Sequence, residues 1–310
     1  MRKIVMLERD NIGEDVDLSY FNNLGDLTIY GTTPNELVKE RIGDADVLVI
    51  NKIPMNETTL KDAPNVKLIC VTATGTDNVD MAYCENRGIV VKNVRSYSTE
   101  SVVQHTFAMY FYISEKLRFY DEYVKNGEYI KCPRFTYFGE QFHELSGKTW
   151  GIVGLGEIGE RVAGIAKAFG CKVLYYSTSG KNNNVNYTRV DFDTLLAEAD
   201  IVSVHAPLTE QTKYLFTYEA FAKMKPSAYL INVGRGPIVK EGDLYRALEE
   251  NLIAGAGLDV LEKEPMSPEN PLFAIKDSKK LLITPHIAWA TTEARSRLMK
   301  NVYKNIEENS

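Results

Sequence analysis

Short apolar runs alternate with helix-period segments along almost the whole chain, the pattern of an α/β protein with a parallel sheet. In the first third, the runs KIVML, LTIY, DVLVI, KLICV and IVVKN are expected strands. Helical segments fall between them, such as Pro34 to Arg41 with its proline near the start. From about Thr99 to Val124 the chain carries neither Gly nor Pro and is apolar on more than one face, so a buried connecting helix is expected. A second series begins at Thr149: TWGIVGL, KVLYY, DIVSVHA, AYLINVG, AGAGLDV and LLITP. The segment TPHIAWATTEARSRLMKNVYKNIEEN then follows as a helix with no strand after it.

At 310 residues the chain exceeds the size at which one core keeps growing, so two domains are expected. Hydrophobic residues make up 44% and charged residues 25%, the balance of an ordinary globular protein. A net charge of -6 without a basic run argues against a nucleic-acid surface, which needs concentrated Lys and Arg. The opening MRKIVMLERD is too charged for a signal peptide and no stretch has the length of a membrane span, so a cytoplasmic protein without membrane partners is expected. The four cysteines, at 70, 84, 132 and 171, form no CxxC pair, and neither a disulfide framework nor a metal site is expected.

Ligands of open α/β sheets sit beyond the carboxyl ends of the strands. After the strand TWGIV and before RVAGIAKAFG, Gly154, Gly156 and Gly159 form G-x-G-x-x-G. Gly154 permits the tight turn, Gly156 lets the backbone approach a pyrophosphate, and Gly159 allows close packing of helix on strand. The amides at the helix N-terminus receive the phosphate charge. Alone the motif is weak; between this strand and this helix it points to NAD or NADP.

The acidic residue that holds the ribose of NAD is expected about twenty residues beyond the glycines. Ser177 stands there, followed by Thr178, Ser179, Gly180 and Lys181. Hydroxyls and an ammonium donate to a 2′-phosphate, so NADP is allowed. A solvated loop that tolerates NAD is the other reading, and both stay open. No arginine is expected to clamp the phosphate.

Three later strand ends carry candidate chemistry. LINVGRGPIV puts Arg235 in a glycine-bounded turn, GAGLDVLEKEP puts Asp259 at a strand end and Glu264 before Pro265, and ITPHIAWA puts His286 after a strand and a proline. Each alone reads as a surface charge or a cap; together, beside a dinucleotide loop, they read as a site. With TATGTDNVD, NVRSYSTESVVQHTFA, LSGKTWGIVGLGEIG and VSVHAPLTEQT, these segments resemble the D-isomer-specific 2-hydroxyacid dehydrogenase family, nearest in look to its glycerate dehydrogenases, also called hydroxypyruvate reductases.

The resemblance implies two doubly wound parallel-sheet domains: a flavodoxin-like substrate domain of residues 1–100 and 284–310, and a Rossmann dinucleotide-binding domain of residues 101–283. It implies Arg235 as the catalytic arginine, Glu264 as the acid and His286 as the proton donor and acceptor. Arg offers a rigid fork of donors to a 2-oxo acid, and a carboxylate beside His favours its protonated form. Reduction is then expected to weaken once His286 loses its proton. On the cofactor side the resemblance adds Glu157 and Ile158 within the phosphate motif, His205, Pro207 and Thr212, Val233 and Gly234, and Asp259 as the contact of the nicotinamide amide.

For the substrate carboxylate it implies the backbone at Thr74 and Gly75. Lys52 would add positive charge there or be a surface lysine, and Trp289 would bound the pocket or pack in a core. His105 and His143 are read as structural. The aromatic stretch YDEYVKNGEYIKCPRFTYFGEQFHEL would form a homodimer interface or pack locally. Glutamate at 264 sets the chain apart from formate dehydrogenases, which carry glutamine, and no regulatory domain of the phosphoglycerate dehydrogenase kind is expected. The first-choice substrates are hydroxypyruvate and glyoxylate. Bulkier D-2-hydroxy acids (lactate, isocaproate, aromatic) are the alternative, and a dinucleotide-sensing, corepressor-like binding protein is a rival of another class.

Overall fold

The computed structural model describes residues 1–309 and comprises two compact units, Met1–Ser98 with the segment from Trp289, and Thr99–Ala288. Ser310, at the end of the expected substrate domain, lies outside the described residues. In the first unit β1 (Lys3–Met6), β2 (Asp26–Ile29), β3 (Val47–Ile50), β4 (Leu68–Val71) and β5 (Val90–Lys92) form one parallel sheet in the order β2-β1-β3-β4-β5. This is the flavodoxin-like order.

Alternation along these strands builds two cores. Ile4, Met6, Val47, Val49, Leu68 and Cys70 face one side, where the helix Thr292–Glu308 covers them with Ala294, Leu298, Met299, Val302 and Ile306. Val5, Leu7, Leu48, Ile50, Ile69 and Val71 face the other, against Val38, Ile42, Leu60 and Cys84. The segment expected as a helix from Pro34 starts instead as a 3-10 turn, Asn35–Leu37, before the α-helix Val38–Ile42.

The second unit holds β6 (Thr149–Val153), β7 (Lys172–Tyr176), β8 (Thr188–Arg189), β9 (Ile201–Val204), β10 (Tyr229–Asn232), β11 (Gly255–Leu258) and β12 (Leu281–Ile283). All run parallel in the order β12-β11-β10-β9-β6-β7-β8. Counted from β6, this is the Rossmann order extended by one edge strand, and the switch point lies between β6 and β9. Among these strands only β8, two residues long, is not expected from the sequence.

The segment expected as one buried helix from Thr99 is two. Thr99–Ser114 is helical and buries Val103, Phe107, Met109, Tyr110 and Ile113, whereas Leu117–Lys125 buries no residue. The break is at Lys116, whose φ of 55° lies in the left-handed region. Its ammonium donates to the Tyr229 hydroxyl at 3.2 Å and the Lys279 carbonyl at 3.4 Å. The glycines of β11 explain why the first helix sits so close: a Cβ at Gly257 would stand 2.9 Å from Ile231 and 3.3 Å from Ile113.

The passage out of the second unit falls after Ala288, not at the expected 283/284. Thr284 N–H donates to the Leu258 carbonyl, and the amides of Ile287 and Ala288 donate to the Asp259 carboxylate, so this turn is bonded to β11 and its extension.

Candidate active site

Each glycine of the phosphate motif has a distinct steric reason. Gly154 has φ +90°, and a Cβ there would meet the Ala206 backbone at 2.9 Å. At Gly159 a Cβ would stand 2.3 Å from the Gly154 carbonyl oxygen. At Gly156, the N-cap of the helix Glu157–Ala168, nothing lies within 4 Å of that position. Open space over an N-cap glycine at the start of a helix is what a pyrophosphate requires. The residues fit a dinucleotide.

Around this loop the sequence candidates take different positions. The Glu157 carboxylate accepts a hydrogen bond from the Thr99 hydroxyl at 2.6 Å, and Ile158 packs against the core cluster beneath the helix. The His205 N–H donates to the Val153 carbonyl at 2.9 Å, which fixes this residue at the switch point. Its Nε2 is 3.0 Å from Ser203 Oγ, while its buried Nδ1 has no partner among the described residues. Burial pushes the imidazole down to about 3, so it is neutral. Thr212 is 1% exposed, and its hydroxyl donates to the Pro207 carbonyl at 2.7 Å, closing the turn rather than projecting from it.

The loop after β7 corrects one expectation. Ser177 is buried and its Oγ accepts from the Asn182 N–H at 3.2 Å, while Lys181 is exposed. Arg189, on the unexpected strand β8, reaches this loop: Nη1 donates to Asn183 Oδ1 at 2.6 Å and to the Asn182 carbonyl at 3.3 Å. An arginine therefore stands beside the loop. The sequence conceals it because it pairs beside Tyr175, and only that register brings it near Ser177.

The turn after β10 is built on Asn232, which is fully buried. Its Oδ1 accepts from Gly234 N–H and its Nδ2 donates to the Arg235 carbonyl, both at 3.0 Å. Val233 and Gly234 lie in this turn, and a Cβ at Gly234 would stand 2.9 Å from the Ala206 carbonyl oxygen. The Arg235 guanidinium donates to the Gly234 carbonyl at 2.9 Å. Asn232 does not stand out in the sequence, where it reads as an ordinary polar strand end.

Glu264 and His286 come together. Glu264 Oε2 lies 2.7 Å from His286 Nδ1, and its Oε1 accepts from the Leu261 N–H at 3.0 Å. A carboxylate on Nδ1 holds a proton there and leaves Nε2 as the nitrogen that exchanges one. His286 has φ 55°, and its N–H donates to the Asp259 carbonyl at 2.8 Å.

Asp259 is 1% exposed and accepts three hydrogen bonds from the turn that follows β12. Oδ1 accepts from the Thr284 hydroxyl at 2.6 Å and the Ile287 N–H at 2.8 Å, and Oδ2 accepts from the Ala288 N–H at 2.8 Å. Asp259, the expected nicotinamide contact, clamps the His286 turn. His105 joins it, with Nε2 3.0 Å from Thr284 Oγ1 and 3.5 Å from Asp259 Oδ1; burial lowers its pKa.

The remaining candidates belong to the first unit. Lys52 follows β3 with an exposed side chain, and the Glu8 carboxylate accepts from the amides of Asn51, Lys52 and Ile53 at 2.6 to 3.1 Å. Thr74 and Gly75 follow β4; the Thr74 hydroxyl donates to the Val94 carbonyl at 3.0 Å, and its carbonyl accepts from Asn93 Nδ2 at 2.5 Å. Trp289 packs edge-on against Tyr97, centroids 6.2 Å apart, and onto the core under the last helix. All four cysteines are thiols, with burial raising Cys70 to about 12 and Cys171 to about 11. Among the described residues no group of three metal-ligating side chains converges, and no helix is long and apolar enough to cross a membrane.

Comparison with known proteins agrees with this geometry. Residues 107–288 match the model of the D-isomer specific 2-hydroxyacid dehydrogenase, NAD binding domain. A glycerate dehydrogenase of Methylorubrum extorquens is 37% identical over 308 residues, covering 99% of this chain and 95% of that protein. A hydroxypyruvate reductase of Blautia hydrogenotrophica is 37% identical over 314 residues, covering 99% and 96%. An acyclic imino acid reductase, solved with NADPH and D-arginine, superposes with a TM-score of 0.86 at 29% identity, covering 99% and 96%. The chain belongs to the D-isomer-specific 2-hydroxyacid dehydrogenases. It is therefore an NAD(P)-dependent oxidoreductase.

Proposed function

We propose that the protein transfers hydride between NAD(P)H and a small 2-oxo acid, hydroxypyruvate or glyoxylate first, with the D-2-hydroxy acid as the other partner. The observation that carries this reading is the 2.7 Å pair of His286 and Glu264 at the ends of strands that share a sheet with the phosphate loop. The amides behind Gly156 would hold the pyrophosphate, and the reduced nicotinamide supplies the hydride when bound. His286 Nε2 gives its proton to the carbonyl oxygen during reduction and removes the hydroxyl proton in the reverse direction. Glu264 orients the ring and compensates the positive imidazolium. Arg235 presents its fork to the substrate carboxylate and carbonyl. Thr74 and Gly75 would serve a 2-oxo acid carboxylate through backbone donors, and Lys52 through its charge.

The loop after β7 favours NADPH in this reading, since Lys181 and Arg189 are cations at the ribose end and no acidic residue stands at 177. The exposed aromatic segment, with Phe135 92% and Phe138 79% exposed, suits a homodimer interface. A cytoplasmic location fits the same reading.

The test is oxidation of NADH and NADPH with hydroxypyruvate and glyoxylate, with His286→Asn as comparison. The variant is expected to lose about a hundredfold or more in kcat. Turnover only with bulkier oxo acids would overturn the substrate, and equal rates in wild type and variant would overturn the histidine. Tight cofactor binding with no turnover on any oxo acid would favour the binding-protein reading.

A further inference from the structure

Behind the segment that carries Glu264 lies a buried carboxylate the reaction does not use. Glu241 opens the helix Glu241–Glu249 and is 6% exposed. Its Oε1 accepts from the Glu262 N–H at 2.6 Å, and Glu262 Oε1 accepts in return from the Glu241 N–H at 2.6 Å. Its Oε2 accepts from Asn270 Nδ2, also at 2.6 Å. Asn270 cannot turn its amide over without loss, because its Oδ1 already accepts from the Leu272 N–H at 3.0 Å. The Tyr214 hydroxyl donates to the second oxygen of Glu262 at 3.0 Å.

This clasp joins the two segments that bear the proposed chemistry. On one side, residues 235–241 run from Arg235 to Glu241. On the other, residues 261–264 run from Leu261, whose N–H binds Glu264, to Glu264 itself. The backbones are in direct contact: a Cβ at Gly236 would stand 1.8 Å from the Leu261 carbonyl oxygen and 2.6 Å from the Glu262 nitrogen.

Burial pushes the Glu241 carboxyl above the ordinary glutamate value, so placing a carboxylate here is unfavourable unless donors surround it. Here two donors are supplied, the Glu262 N–H to one oxygen and the Asn270 amide to the other. An apolar side chain at 241 would leave the Glu262 N–H and the Asn270 amide without acceptors.

We infer that Glu241 is a positioning residue for the reaction, holding the Glu264 segment against the Arg235 turn so that Glu264 stays in register with His286. The inference rests on the roles proposed above for Arg235, Glu264 and His286.

Its test is a double-mutant cycle on kcat for hydroxypyruvate reduction, with the cofactor dissociation constant followed by fluorescence. Glu241→Gln keeps the shape but sets a second amide donor against a donor of its neighbours. It should lower kcat by about tenfold, the effect of one lost hydrogen bond to a charged group. Cofactor affinity should stay within about twofold, since the clasp touches no residue proposed to hold the cofactor. In a Glu264→Gln background the Glu241→Gln change should add almost nothing, because the group it positions is already disabled.

Tyr214→Phe, which removes only the outer hydroxyl, gives a variant that folds even if Glu241→Gln does not. It should lower kcat a few-fold and should likewise have no effect beside Glu264→Gln. Multiplicative losses, or an unchanged kcat in Tyr214→Phe and Glu241→Gln, would overturn the positioning role. If instead Glu264→Gln and His286→Asn were as active as wild type, the proposed function itself would fail, and the inference with it. Impaired Glu264 and His286 variants beside a fully active Glu241→Gln would remove the clasp alone.

Discussion

His286 has a backbone conformation that a side chain pays for, with φ 55°, and Asp259 holds it there. The carboxylate accepts from the amides of the two residues after the histidine, and the Asp259 carbonyl accepts from the histidine's own N–H. The ring is then pinned from the other end by Glu264. Two carboxylates thus fix one imidazole, one through its backbone and one through its ring.

Arg235, Glu264 and His286 are legible in the sequence because each follows a strand within a long ordered motif. That Asp259 accepts from a backbone turn is not legible there, since its partners Thr284, Ile287 and Ala288 are distant in sequence. Arg189 is hidden for a different reason, its distance along the chain from Ser177. Arg189→Gln should raise the KM for NADPH about tenfold and leave that for NADH nearly unchanged, as expected for one lost charge-assisted contact. Steady-state kinetics with both cofactors checks this, and an equal change for both would remove Arg189 from the phosphate site.

Among the elements, strands are the easier part to read. Every apolar run quoted from the sequence contains a strand of one of the two sheets, and in the central strands, such as Val47–Ile50 and Ile201–Val204, burial on both faces leaves a continuous hydrophobic signature. The two-residue β8 carries no such signature, since both Thr188 and Arg189 are exposed. The helix from Thr99 is shorter than its composition suggests. Nothing in the local composition around Lys116 marks a break, and its left-handed turn depends on Tyr229 and Lys279, which are distant in sequence.

Beyond Lys116 the surface changes character. The helix Leu117–Lys125 and the stretch after it leave Ile130, Phe135 and Phe138 between 79% and 92% exposed, while Tyr123 and Tyr137 stack with centroids 3.9 Å apart. The Tyr123–Tyr137 stacking is local packing, and the exposed rings lie outside it. If the exposed rings form a homodimer contact, replacing both Phe135 and Phe138 with Ser should convert a dimer into a monomer in sedimentation experiments. A wild-type monomer at micromolar concentration would rule the contact out.

At the scale of the molecule, acid sensitivity follows from buried imidazoles. The His205 value falls from 6.5 to about 3 on folding because burial disfavours the charged ring, and His105 moves in the same direction. A depressed value means that the unfolded chain takes up the proton first. The stabilisation is therefore complete above about 6.5 and is lost as pH falls toward about 3. The urea midpoint should drop steadily between pH 7 and pH 4, and His205→Gln should flatten part of that slope. A variant with the wild-type slope would transfer the effect to the carboxylates.

The order in which the chain is made adds a last consequence. The second unit is one uninterrupted stretch, Thr99–Ala288, whereas the core on one face of the first sheet is completed by Ala294, Leu298, Met299, Val302 and Ile306, alongside Ile12, Val16, Leu18 and Phe21 from the start of the chain. A ribosome that has released the first strands still has to deliver the final helix before that core is complete. Until then the core around Ile4, Met6, Val47, Val49, Leu68 and Cys70 lacks the part of its cover that the last helix supplies. Although begun first, the amino-terminal unit is the one whose folding finishes last.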